Sequence, residues 1–117
     1  MGNSIVLNKS KTFAVRIIRL NNYLSSEKKE FVMSKQILRS GTSVGANISE
    51  ALQAQSKLDF ISKLSIALKE ASETEYWIDA LYQSKYLTVK QYDSIKADCI
   101  ELIKLLTSII KTSKANL

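Results

Sequence analysis

The sequence predicts an all-α protein, an antiparallel up-down four-helix bundle, and three observations predict it. Apolar residues recur at +3 and +4 along most of the chain, the repeat of a helix with one buried face. Polar runs and capping patterns divide that repeat into four stretches. The 117 residues include three Gly and no Pro, too few turn-formers for a β-sandwich. At this length a single domain over residues 1–117 is expected, and four helices with short links and no strand signal pack up and down.

Each helix has its own signature. In the first, Phe13, Ile17, Leu20 and Leu24 form one stripe, with Asn8 or Ser10 available as a cap. The polar run Ser25-Ser26-Glu27-Lys28-Lys29-Glu30 reads as a turn. A second helix then carries Phe31, Leu38, Gly45, Ile48 and Leu52 and ends near Gln55. Ser56-Lys57-Leu58-Asp59 is a Ser-x-x-Asp cap for the third. Behind it, Phe60, Leu64, Ala67, Ala71, Thr74, Ile78 and Leu81 keep the 3.5-residue spacing of shallow antiparallel packing. Thr88-Val89-Lys90-Gln91 is a capping box for the fourth, with Leu87 and Tyr92 placed as a hydrophobic staple. Ile95, Cys99, Leu102, Leu106 and Ile109 supply its apolar face.

Some apolar residues fall off these faces. Val15 and Ile18 point away from the first stripe, and Ile66 and Trp77 lie beside Asp59, Glu70 and Glu73, off the third. A helix apolar on two sides is usually buried on two sides, so these four are candidates for a subunit interface. Isolated surface hydrophobes are the alternative. Gly41, Gly45 and Ser49, spaced by four, form a small-residue strip. Each mid-helix Gly costs about 1 kcal/mol relative to Ala, which close approach of another helix would offset; a local kink is the competing reading. Asn47, between apolar neighbours, is read as a structural hydrogen-bonding residue within the same closely packed segment.

Little chemistry is visible. The chain has no His, the commonest acid–base group and metal ligand. Glu70, Glu73, Glu75 and Asp79 cluster on the third helix, and an acidic face is the expectation rather than a metal or acid–base site. Cys99 lies on an apolar stripe with no base to activate it. The chain is therefore expected to be no enzyme, with no cofactor and no metal. No uncharged stretch approaches the ~20 residues of a membrane span, and no signal-peptide pattern opens the sequence. A cytoplasmic protein without membrane contact is expected.

Charge is more informative. Seventeen Lys and Arg stand against eleven Asp and Glu, a formal +6. Residues 1–40 carry eight cations and two acids, whereas residues 41–80 carry three and six. Lys11, Arg16, Arg19, Lys35 and Arg39 are thus candidates for phosphate-backbone contacts without sequence readout. The same asymmetry also fits a basic face pairing with the acidic third helix of a neighbouring subunit, or plain solvation. Five of the nine aromatics, Tyr76, Trp77, Tyr82, Tyr86 and Tyr92, gather at one end of the bundle, where packing rather than base stacking is expected.

The segment from Leu38-Arg39-Ser40-Gly41-Thr42-Ser43-Val44-Gly45-Ala46-Asn47-Ile48-Ser49-Glu50-Ala51, continuing through Ser56-Lys57-Leu58-Asp59-Phe60-Ile61, Leu64-Ser65-Ile66-Ala67-Leu68-Lys69-Glu70-Ala71 and Glu73-Thr74-Glu75-Tyr76-Trp77-Ile78, resembles the signature of a bacterial four-helix bundle family. That family is also named for proteins encoded in ribosomal-RNA intervening sequences. The resemblance implies a bundle assembling as a ring, typically a homopentamer. It also implies kinship with accessory proteins of diversity-generating retroelements, which bind nucleic acid. It supplies no catalytic residues and no positional nucleic-acid motif. Two functions are expected from all of this. One is a non-enzymatic nucleic-acid-associated or scaffolding protein whose oligomeric ring binds RNA or DNA backbones. The alternative is a structural module that recruits a protein partner as an accessory subunit.

Overall fold

Two of the four helices start where their hydroxyl caps place them. In a computed structural model, which describes residues 2–117 and side chains from residue 5, Ser56 Oγ accepts from the Asp59 N–H at 3.0 Å and opens α3 (Lys57–Gln83). Thr88 and Gln91 exchange both bonds of a capping box, 3.1 and 2.8 Å, and open α4 (Val89–Ala115). Leu87, ahead of that cap, is buried, and Tyr92 stacks on Tyr82 with ring centroids 4.1 Å apart.

The first two helices begin differently from expectation. α1 (Gly2–Ser26) is already helical at Asn8 and Ser10, so neither caps it. Ser10 is buried instead, its hydroxyl donating back to the Leu7 carbonyl at 2.7 Å. α2 spans Met33–Ala51, shorter than expected at both ends. Phe31 therefore lies outside it and is exposed, while the helix turns Ile37, Gly41, Val44, Ile48 and Ala51 inward. Leu38, Gly45 and Leu52 are only half-buried. The cap at Val32 has no hydrogen-bonding side chain; the Glu30 carboxylate reaches forward in its place. It accepts the N–H groups of Val32 and Met33 on Oε2 (3.1 and 3.0 Å) and of Ser34 on Oε1 (2.8 Å). A negative group here satisfies donors that helix geometry leaves free and also faces the positive end of the helix dipole.

The helices run up and down, each packing on its neighbours in sequence, with α1 and α4 closing the bundle most loosely. The molecule measures 47 × 21 × 19 Å. The core follows the expected stripes closely in α3 and α4, except that Ile61 is buried where Phe60 was expected and Ile110 where Ile109 was. Buried Ser40 and Thr74 hydroxyls meet at 2.9 Å between α2 and α3, and among the described residues no buried side-chain polar atom lacks a partner. No described helix is long and apolar enough to cross a membrane.

The small-residue strip is a helix-packing contact. A Cβ on Gly41 would sit 2.7 and 2.8 Å from the two γ-carbons of Ile17, and one on Gly45 would sit 3.0 Å from Ser10 Oγ. Ser49 does not continue it and is exposed. Steps of four residues advance ~40° around a helix, so two steps carry the line off the α1 seam. The Asn47 amide donates to the Ser43 carbonyl within its own helix at 2.9 Å. The Gly41 contact gives a direct test. Gly41→Ala gains helix propensity but pushes a methyl into fully buried Ile17, so it should lower stability by ~1–3 kcal/mol. An unchanged urea midpoint would show that the seam can give.

Candidate nucleic-acid interface

Lys11, Arg16 and Arg19 lie on α1, and Lys35 and Arg39 on α2. The structure does not gather them into one open patch. The Arg16 guanidinium turns to α4, where it donates to Asp98 Oδ2 at 2.6 Å, to Ser94 Oγ at 2.9 Å and to the Ser94 carbonyl at 3.3 Å. Arg39 turns to α3, bonding Glu70 at 3.1 Å and Glu73 more closely. Both were candidates for phosphate contacts, and both are engaged within the chain. Lys11, Arg19 and Lys35 remain exposed and without an ion pair among the described residues.

The pairing extends beyond these two. Lys9 meets Glu101 at 3.2 Å across α1–α4, Lys63 meets Glu50 at 3.2 Å across α2–α3, and Lys96 meets Glu75 and Asp79 at 3.2 and 2.5 Å across α3–α4. Five of the seventeen cations thus engage seven of the eleven acids. Glu30 is occupied as a cap. Twelve cations then face three remaining acids, Glu27, Asp59 and Asp93.

The third-helix carboxylates split into two groups. Glu70 and Glu73 hold Arg39, while Glu75 and Asp79 hold Lys96. Among the described residues no group of three or more His, Cys, Asp or Glu is placed to hold a metal. Hydrogen bonds from Arg39 and then from the Trp77 indole (3.1 Å) hold Glu73 below the usual carboxylate range. For Asp79, partial burial works to raise the pKa, but bonds from Lys96 and from Tyr92 Oη at 2.8 Å outweigh it and lower it. Burial pushes the Cys99 thiol up to about 12, and its Sγ lies 3.3 Å from the Ala71 carbonyl. It is packed and unreactive at neutral pH.

Of the residues expected at an interface, Val15 (46% exposed), Ile18 (44%) and Ile66 (40%) are open to solvent. Trp77 is half-buried, its indole bonded to Glu73 and its ring edge-on to Tyr76 at 5.0 Å. Between α1 and α4 lies a groove of about 270 Å³ lined by Arg16, Arg19, Leu20, Tyr23, Leu87, Gln91 and Ile95. Sequence reading missed it, although Arg16, Arg19, Leu20 and Tyr23 follow the i, i+3, i+4, i+7 spacing of one helix face. That spacing was the available signal; the loose α1–α4 closure that opens the groove was not.

A family model described as 23S rRNA-intervening sequence protein matches residues 2–108. A crystal structure of a protein of unknown function from the S23 ribosomal protein family of Bacteroides thetaiotaomicron VPI-5482 is 62% identical. It covers 95% of this chain and 99% of its own, with a TM-score of 0.94. No curated protein matches.

The depressed carboxylates set an acid limit on the fold. A carboxylate whose folded pKa is lowered adds stability that is complete above its unfolded value and is lost as pH falls through the folded one. With ordinary values of 4.5 for Glu73 and 3.8 for Asp79, stability should fall as pH drops below that range. Glu73→Gln with Asp79→Asn should flatten the dependence in urea titrations; an identical slope would remove these groups from the acid response.

Proposed function

The chain belongs to the 23S rRNA-intervening sequence protein family, and from that premise we propose that it is a non-enzymatic nucleic-acid-associated protein whose exposed cations bind RNA or DNA backbones as part of a homo-oligomer. The observation that carries this reading is the one-sided use of charge: interhelical pairs consume most acids and leave Lys11, Arg19 and Lys35 unopposed. Such cations supply affinity through counterion release and carry no sequence information. Arg16 and Arg39 are paired with carboxylates and do not belong to this free set. Assembly multiplies weak contacts by avidity, and a ring of five is what the family resemblance implies. A cytoplasmic location belongs to the same proposal.

A second reading rests on Val15, Ile18 and Ile66, exposed apolar residues that suit a contact with another copy or with a protein partner. Under it the ring serves as a scaffold and accessory subunit.

Fluorescence anisotropy with structured RNA and duplex DNA, titrated across about 50 to 200 mM salt, separates the two. Under the first reading binding weakens steeply with salt, and replacing Lys11, Arg19 and Lys35 by Gln weakens it on every sequence and shallows the slope. Absence of binding at low salt would sink that reading and favour the scaffold. In light scattering, Val15→Asp with Ile18→Asp should reduce the mass of the assembly. A mass unaltered by both changes would place the subunit contact elsewhere.

A further inference from the structure

The α1–α4 groove has a composition that backbone binding alone does not use. Its floor is apolar, made by Leu20 with buried Leu87 and Ile95, and the Tyr23 ring is among its walls. Among the described residues no carboxylate lines it. Arg16 is held by Asp98 and Ser94, which fixes its position and neutralises it, whereas Arg19 carries an unopposed charge. Outside the lining itself, the Lys28 ammonium sits over the Tyr23 ring, 5.8 Å from its centroid, close enough to reach a phosphate at the rim. Gln91, also a lining residue, accepts the Thr88 N–H on Oε1, which leaves its amide NH₂ without a partner among the described residues.

We propose that this groove receives one unpaired nucleotide of a strand held by α1: the base lies against Tyr23 and the Leu20–Leu87–Ile95 floor, and its phosphate lies on Arg19 and Lys28. This rests on the backbone-binding reading and adds to it a preference for unpaired segments. The complementarity is of both charge and shape. An apolar, ring-walled slot with cations at its rim matches a planar base joined to a single anion. The volume of about 270 Å³ falls below the ~300 Å³ of the smallest drug-sized pockets, so it suits one ring system rather than a duplex or a folded peptide. Stacking on an aromatic side chain is tolerant of sequence, and the Gln91 amide offers a base edge one donor.

The test compares two RNAs of equal length, a hairpin with 2-aminopurine in its loop and a fully paired duplex, using the assembled full-length protein. The hairpin should bind more tightly, and its 2-aminopurine fluorescence should be quenched on binding. Tyr23→Ala should weaken hairpin binding by about tenfold, within the range for loss of one base–aromatic stack, and leave duplex binding unchanged. Tyr23→Phe should keep both. Should Tyr23→Ala fail to fold by circular dichroism, wild-type NMR provides the reading: adenosine monophosphate should shift the Gln91 side-chain amide, and inorganic phosphate should not. Equal binding of both RNAs with no quenching overturns the groove assignment alone. Binding of neither overturns the backbone reading and this inference with it. A fall in assembly mass on Tyr23→Ala would show that the groove is occupied by another copy of the chain, which also overturns it.

Discussion

The contact of Gly41 with Ile17 fixes the rotation of the first helix, and much of the surface chemistry follows from it. With no Cβ on Gly41, the Ile17 side chain can lie directly against the α2 backbone. Adjacent residues on a helix are ~100° apart, so placing Ile17 inward determines where the rest of α1 points. Arg16 turns to α4, where Asp98 and Ser94 wait for it. Val15, Ile18, Lys11 and Arg19 are left facing outward. A larger residue at position 41 would force either Ile17 or the whole helix to move, and the outward set would move with it.

This seam relies on packing for an electrostatic reason. The α2–α3, α3–α4 and α1–α4 seams each carry ion pairs, whereas α1–α2 carries none among the described residues. The first forty residues hold eight cations and two acids, so these two helices have few opposite charges to offer each other. Close steric fit, the Ser10 hydroxyl against Gly45 and a bond from the Asn21 amide to the Ser34 carbonyl (3.0 Å) hold the seam instead. Exposed ion pairs are each worth only ~0–1 kcal/mol, so the other seams do not owe their stability mainly to charge. The pairs matter more for which cations they remove from the surface.

Legibility in the sequence tracked how local each determinant is. Ser56 and Thr88 cap helices through bonds to residues three positions on, and both starts were readable. The start of α2 was not, because Glu30 caps it from two residues ahead of Val32, a geometry outside the usual hydroxyl or Asx cap. Without that start, Phe31 entered the helical repeat and shifted the inferred face away from Ile37 and Val44. Arg16 and Arg39 show the same limit in the candidate site. Their partners lie 82 and 31 to 34 residues away in sequence, and nothing adjacent to either arginine announces them. The strip at Gly41 and Gly45 was visible as spacing, but only the partner helix decides between a kink and a contact.

The outer face of α1 sets the remaining constraint on function. Val15 and Ile18 lie between Lys11 and Arg19 along the same helix, so the apolar and cationic residues cannot be assigned to unrelated surfaces. Burial of two aliphatic side chains of this size against a partner yields a few kcal/mol, and it desolvates anything at the centre of the contact. Charges survive such a contact at its rim, where they stay hydrated and lose little. Lys11 and Arg19, on either side of the apolar pair, would then border the contact instead of being consumed by it. Assembly through Val15 and Ile18 would line the cations of successive subunits along the edges of their contacts, a spacing that a single chain cannot provide. Oligomerisation and polyanion binding would on this geometry be one arrangement of α1, not competing uses of it.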